Sequence, residues 1–555
     1  MKFLQLAILF IATLGLAIIA PNLINNSNPN PISPSGHVFL GTNLTGIADW
    51  STEMPFLDAF KSSRKWITQC NAKESGCSGT WDTNEFDKLN LDKNGWVKSL
   101  PKPEESPEYT RVGTLMFRDV ESYPGGQYVV LYDGEGKIEY KYDAVKDEAA
   151  SKSGRDVINV TPSNAGIYLL ITATDPNKTG NYIRNIHVVQ AQYETTYKSQ
   201  IFNPKFIGKI SKFKALRFMD WMATNGSQQQ EWQNRPKVED ASYSWKGVPA
   251  EILVEIANRL NLDAWFNMPH IATDEYITNF AKIVKDTLKP NLKAYVEFSN
   301  EVWNPQFQQY HYALQEGKAR WGENKADAYM QWYGMRAAQM CDIWEHTFGN
   351  QNHRLSCVIS TQTAWKGLEK SVLDCPYWVD EGHKPCYQHG IDVYAITGYF
   401  GASLGKPNNF STVESWLKES ERGFAKALTA LKGKVSLGDN LIDTYNNFIY
   451  HAKVAKEKAL QLVAYEGGQH IVGSQGLENN DTLTNFFINL NRRPEMYDLY
   501  TQLLNDWQKA GGTLFMNYSD IVKPSKWGSW GALENVNQNT SPKYKALMDF
   551  IAANH

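Results

Sequence analysis

Residues 294–304 read AYVEFSNEVWN: a short run from Ala294 to Ser299, apolar or aromatic at four of its six positions, closes on the polar pair Asn300-Glu301. A short, mainly apolar run fits a strand buried on both faces, as in a parallel sheet. Seven more runs share its texture. Val38 to Leu44, Ala215 to Met219 and Ala264 to Met268 precede it; Leu355 to Thr361, Val393 to Thr397, Leu462 to Tyr465 and Thr513 to Met516 follow. Between most of them the apolar spacing turns helical, as in PAEILVEIANRL from Pro249 to Leu260, and again at Tyr276 to Leu288, Ala326 to Trp344 and Val413 to Leu431. Eight strands alternating with helices, without the GxGxxG fingerprint of a doubly wound sheet, predict an α/β fold of the (β/α)8 TIM-barrel type.

One stretch breaks the alternation. From Tyr109 to Gln190 the runs are β-rich, as at Gln127 to Tyr132 and Gly166 to Thr174, and the turn signals Asp133-Gly134-Glu135-Gly136 and Asp175-Pro176-Asn177 bracket them. This predicts an antiparallel β-sandwich domain inserted at 108–192, between a start of the barrel at 37–107 and its remainder at 193–555. Its functional reading is a carbohydrate-binding or cleft-shaping module; a packing insertion without a ligand is the plainer alternative.

Ahead of the barrel, Met1-Lys2 precedes an apolar run from Phe3 to Ala20, which reads as a signal peptide or N-terminal anchor over 1–20, followed by an Asn/Pro/Ser-rich linker over 21–36. The expected location is therefore secreted, extracellular or periplasmic, with membrane attachment only if the leader is uncleaved. Six cysteines permit three disulfides in such a chain, and proximity pairs Cys70 with Cys77, Cys341 with Cys357, and Cys375 with Cys386. None forms a CxxC, which argues against a structural zinc site, and no HExxH, P-loop or suitably flanked GxSxG is present. No metal or cofactor is expected. A net charge of −3 without a long basic run lacks the footprint of a nucleic-acid binder. Aromatic residues reach 13%, with 18 Trp, which suits a surface for partly apolar, hydroxylated ligands such as sugars.

In a barrel all strand C-termini open on one face, so acids at two strand ends converge on one cleft. Glu301 ends the fourth run and Glu466, after Leu462 to Tyr465, ends the seventh. Cleavage of a glycosidic bond needs two such carboxyl groups. The pattern resembles the clan A glycoside hydrolases, whose barrels carry Asn-Glu at the end of strand four and a nucleophilic Glu at the end of strand seven. The strings Glu297-Phe-Ser-Asn-Glu-Val-Trp-Asn304 and Ala464-Tyr-Glu-Gly-Gly-Gln-His470 are similar to a group of these barrels often labelled cellulose-binding or uncharacterised.

The resemblance implies a retaining mechanism with Glu301 as acid/base and Glu466 as nucleophile. Two carboxylates held roughly 5 Å apart repel by about 3 kcal/mol at an effective dielectric of about 20, roughly two pKa units, enough to keep Glu301 protonated near neutrality. The resemblance further implies that Asn300 binds a sugar 2-hydroxyl, that Arg217 keeps Glu466 ionised, and that His270 and Tyr399 contact substrate and nucleophile. Trp527 and Trp530 are both placed to form the platform under the scissile sugar. No second aromatic series for extended subsites is evident in the sequence. The expected substrate is a polysaccharide or oligosaccharide, cut by an endo-β-glycanase; the alternatives are an exo-acting β-glycosidase and a non-catalytic, cellulose-binding protein on a degenerate barrel.

Overall fold

Each of the eight apolar runs becomes a barrel strand. The computed structural model describes residues 37–102, 108–435 and 437–554, so the leader at 1–20 and the linker at 21–36 lie outside the described residues. Strand β1 (Phe39–Asn43) opens the barrel. The chain then builds β2 (Ile67–Gln69), β3 (Arg111–Met116), β4 (Gly126–Asp133), β5 (Gly136–Tyr142), β6 (Ala144–Lys146), β7 (Arg155–Val160), β8 (Ile167–Thr174) and β9 (Arg184–Gln190). It returns with β10 (Ala215–Arg217), β11 (Asp263–Met268), β12 (Ala294–Phe298), β13 (Leu355–Ser360), β14 (Ile391–Phe400), β15 (Gln461–Gln469) and β16 (Leu514–Asn517). The order β1-β10-β11-β12-β13-β14-β15-β16 is parallel throughout and closes where β1 pairs with β16. This is a (β/α)8 barrel carrying an inserted antiparallel β sandwich.

Because side chains alternate along a strand, every second residue faces the barrel axis. The lower interior is filled by Ala215, Trp265, Tyr295, Val358, Val393, Val463 and Leu514, with Trp265 and Tyr295 stacked at 5.3 Å. Two residues further along β10 and β12 come Arg217 and Glu297, both fully buried. The barrel thus changes from apolar to charged within one pleat repeat, just below its C-terminal mouth.

The sandwich consists of the sheets β2-β3-β8-β5 and β6-β7-β4-β9. Between them pack Val112, Ile138, Leu169 and Ile171 on one side and Tyr128, Val130, Ile158 and Val188 on the other. Strand β2 lies upstream of residue 108 and pairs antiparallel with β3, so one edge of the sandwich is drawn from the segment before it. Sandwich and barrel form one compact unit. Asp58 helps join them, accepting from Val188 N at 2.9 Å and His187 Nδ1 at 2.7 Å.

Two expectations are corrected. The helix expected over Val413 to Leu431 is two helices, Phe410–Leu417 and Glu421–Leu431, because Ser420 turns the backbone to a φ of 47°. Cys70–Cys77 and Cys375–Cys386 are disulfides, but Cys341 and Cys357 are free thiols. Cys341 sits in the helix Ala328–Phe348 and Cys357 in β13, both buried, and burial pushes both thiols up, away from the reactive thiolate. Thiol titration of the unfolded, unreduced protein accordingly gives two equivalents; none would restore the third disulfide.

No helix among the described residues is long and apolar enough to cross a membrane.

Candidate active site

The site grows from residues of seven strands, β1 and β10 to β15. Arg217, the last residue of β10, reaches across the axis. Its Nη1 donates to Glu466 Oε1 at 2.7 Å and to Asn43 Oδ1 at 3.0 Å; its Nη2 donates to Glu297 Oε2 at 2.8 Å and Asn300 Oδ1 at 2.9 Å. The guanidinium also lies over the rings of Trp265 and Tyr465, at 5.6 and 5.1 Å. A planar fork with five donors suits this task; an ammonium could not hold four acceptors in these directions.

Glu297 is saturated. Besides Arg217 it accepts from Trp265 Nε1 at 3.0 Å, Asn267 Nδ2 at 2.8 Å and Ser360 Oγ at 3.3 Å. With no exposed surface, it compensates Arg217 and orients it rather than meeting a substrate.

Glu466 is placed by an irregularity. The registers of β14 with β15 and of β15 with β16 both slip around Tyr465 and Glu466, and a β-bulge lets consecutive residues face the same side of a sheet. Tyr465 therefore belongs to the barrel interior, and Glu466 beside it also reaches Arg217. Gly467 follows because a Cβ there would come within 2.2 Å of the Phe515 ring. The second oxygen of Glu466 accepts from Tyr399 Oη at 2.9 Å.

Glu301 stands just past β12, where Ser299 and Glu301 adopt φ values of 61° and 41°, strain that the surrounding contacts must hold in place. Its Oε1 accepts from Tyr465 Oη at 3.1 Å and its Oε2 from Asn304 Nδ2 at 3.1 Å. Tyr465 therefore spans the two acids, its hydroxyl on one and its chain neighbour the other.

The environments separate the pair. Burial, and then the charge of Glu466, push the Glu301 carboxyl up to about 8. Burial also raises Glu466, but Arg217 and Tyr399 oppose it directly. Glu301 has only neutral donors in contact, so Glu466 is the member that ionises first.

Asn300 is 2% exposed and fixed on three sides: Arg217 at its Oδ1, Asn225 Oδ1 at its Nδ2 (3.0 Å), and Gln309 Nε2 at its carbonyl (2.8 Å). Arg217, Asn300, Glu301, Tyr399 and Glu466 thus belong to one connected network. Trp530 joins its edge, with its ring 5.9 Å from Tyr399, 4.9 Å from His470 and 5.6 Å from Tyr518. The Trp527 ring does not; it is 63% exposed, with Lys526 Nζ 4.9 Å over it, while its carbonyl accepts from Trp530 Nε1 at 2.8 Å. His270 is buried against Tyr312 and has no hydrogen bond to either acid; its Nδ1 is unpartnered, and burial pushes its pKa down to about 4, leaving a neutral imidazole.

Glu297, Asn43, Tyr465, Asp220 and Tyr518 were given no role by the sequence. Asp220 accepts from Tyr518 Oη at 3.3 Å, and burial together with the Glu466 charge pushes it up to about 7. For Glu297 a signal existed: a carboxylate inside an otherwise apolar strand, buried on both faces, requires a partner.

A cleft of about 310 Å³ opens beside the network, lined by Glu301, Trp303, Gln362, Thr363, Tyr399 and His470 among others. A cavity of about 320 Å³ between sandwich and barrel, at Asp58, Trp96, His187 and Tyr243, contains none of these groups. Among the described residues one group of metal-ligating side chains lies together, Cys70, Cys77 and Glu108, and its two sulfurs are already joined in a disulfide.

No protein-family profile matches the chain, and no curated protein sequence does. Among solved structures, a family 10 glycoside hydrolase from Paenibacillus barcinonensis is similar at 12% identity, over 62% of this chain and 91% of that one, with a TM-score of 0.35. A family 5 xyloglucanase from Paenibacillus pabuli is similar at 12% identity over 63% and 90%, with a TM-score of 0.35. An endo-β-1,4-mannanase double mutant from Cellulomonas fimi is similar at 10% identity over 54% and 56%, with a TM-score of 0.28.

Proposed function

We propose that the protein is a retaining glycoside hydrolase acting on a β-linked polysaccharide, with Glu466 as nucleophile and Glu301 as acid/base. The observation that carries this is the asymmetry of the two acids: one in contact with a buried guanidinium, the other raised and bonded only to neutral donors. In the first step Glu466 attacks the anomeric carbon while Glu301 delivers its proton to the departing glycosidic oxygen, leaving a glycosyl ester on Glu466. Ester formation removes the charge beside Glu301. The now ionised Glu301 takes a proton from water, which attacks the same carbon and releases Glu466 and a product of unchanged anomeric configuration. Asn300, held by Arg217 and Asn225, keeps one amide N–H for the sugar 2-hydroxyl, and Trp530 is the platform beneath the reacting sugar.

Trp303 lines the cleft beside Glu301, an aromatic face for a sugar next to the acid, and endo action is part of this proposal. Two disulfides fit an oxidising, extracytoplasmic location.

The pH profile tests the acid. Glu301 must carry its proton in the first step, so kcat/KM falls as pH rises through about 8. Glu301→Gln removes that limb, and it spares the first step for a dinitrophenyl glycoside, whose leaving group needs no proton. An unchanged alkaline limb in this variant would assign the titration to another group.

A further inference from the structure

The sandwich carries two aromatic side chains whose exposure its packing does not require. Trp81 is 46% and Tyr142 50% exposed, their ring centroids 6.4 Å apart and their planes inclined by 25°. At that separation near-parallel rings lie offset, each with area open to water. Both rest on Tyr168, at 5.2 and 5.5 Å, which is itself buried.

This support is rigid. The Tyr168 hydroxyl donates to Gln69 Oε1 at 2.5 Å, and its ring lies so close over Gly113 that a Cβ there would come within 2.1 Å of the hydroxyl oxygen. Gln69 Nε2 in turn donates to the Trp81 carbonyl at 2.6 Å. The loop bearing Trp81 is stapled by Cys70–Cys77 and returns to β2 through Thr83 N and Thr68 O at 2.8 Å. Rings held in place before a ligand arrives lose little freedom on binding.

Around the rings the charges are mixed. Lys137 pairs with Glu139 at 2.9 Å and Arg111 with Glu74 at 3.3 Å. Lys141, opposite Tyr168 in the β5–β8 register, adds a cation and Asp82, which accepts from Thr68 Oγ1 at 3.1 Å, adds an anion, so the mixed charges around the bare aromatic faces do not select a polyanion. The surface suits a ligand that is uncharged, hydroxylated at its edges and apolar on its flat C–H face, which describes a sugar ring.

We propose that Trp81 and Tyr142 form a platform that binds a neutral β-linked glycan chain, sharing no residue with the carboxylate cleft. The choice of glycan rests on the hydrolase reading, so binding must be read without turnover. The test is retention of the full-length Glu466→Gln protein, with and without Trp81→Ala plus Tyr142→Ala, on swollen cellulose, insoluble xylan and insoluble mannan. The platform predicts retention of the parent on at least one of the three and a loss of about tenfold or more in the double variant. It also predicts an unchanged unfolding midpoint and, in an otherwise wild-type background, unchanged turnover of a short soluble oligosaccharide. Tyr142→Ala alone and Trp81→Tyr guard against misfolding, the first weakening retention and the second preserving it. Equal retention by parent and double variant, or no retention of the parent on any of the three, would overturn the proposal. Failure of the hydrolase reading has a different signature: retention as predicted, with no sugar released by the wild-type protein.

Discussion

Replacing Glu466 by alanine lowers polysaccharide turnover by a factor on the order of ten thousand, and sodium azide restores part of it with inversion at the anomeric carbon. The size follows from what the side chain does. It supplies the attacking atom, and it is positioned by two donors, Arg217 Nη1 at 2.7 Å and Tyr399 Oη at 2.9 Å, so its loss removes both the covalent route and its preorganisation. The truncated site leaves room for a small anion under the same guanidinium. Azide entering there attacks from the face that Glu466 used, while Glu301 still protonates the leaving oxygen, so the glycosyl azide has the opposite configuration to the substrate. Equal turnover by wild type and variant would remove Glu466 from the mechanism.

The second large effect belongs to Arg217→Met. This guanidinium is the cation in contact with both Glu297 and Glu466, and all three side chains are buried. Removing one partner of a buried ion pair costs about 3–5 kcal/mol, because the remaining charge has neither water nor a counter-ion. Here two carboxylates lose their cation: Glu297 keeps three other donors, Glu466 only the Tyr399 hydroxyl. Turnover falls as well, by roughly a hundred- to a thousandfold, as for the loss of one preorganised electrostatic contact. The stability loss depends on pH in a set direction. In the variant Glu466 keeps the burial that raises its pKa and loses the guanidinium that opposes it, so it holds its proton more tightly folded than unfolded and folding is favoured where it is protonated. The deficit against wild type is therefore larger at pH 8 than at pH 5, as denaturant unfolding at the two values shows; a deficit growing on acidification would contradict the assignment.

The barrel was legible because burial on both faces leaves a composition signature: a short apolar run that ends where the chain meets water, as at Phe298 to Glu301. The same reasoning placed Arg217, Asn300, Glu301 and Glu466 at strand ends, and the structure joins them, with Tyr399, through hydrogen bonds. What escaped lies where side-chain direction depends on local backbone. The bulge at Tyr465 and Glu466 turns two neighbours to one side, which pleat alternation forbids, so the link from Tyr465 to Glu301 could not be read. Trp527 and Trp530 are three residues apart in one loop, and only the fold shows that Trp530 turns to Tyr399. Strand β2, three residues long, carries too little periodicity to be seen. The pairing of Cys341 with Cys357 failed because nearness in sequence does not require that two thiols be oxidised.

Covalent trapping tests the central claim most directly. The protein is incubated with dinitrophenyl 2-deoxy-2-fluoro-β-glycosides of cellobiose, xylobiose and mannobiose, then digested and examined by mass spectrometry. The account predicts a glycosyl adduct from at least one of the three, carried by the peptide containing Gln461–Gln469 and located on Glu466. An adduct on Glu301 or another carboxylate, or hydrolysis proceeding with no adduct from any of the three, would contradict it.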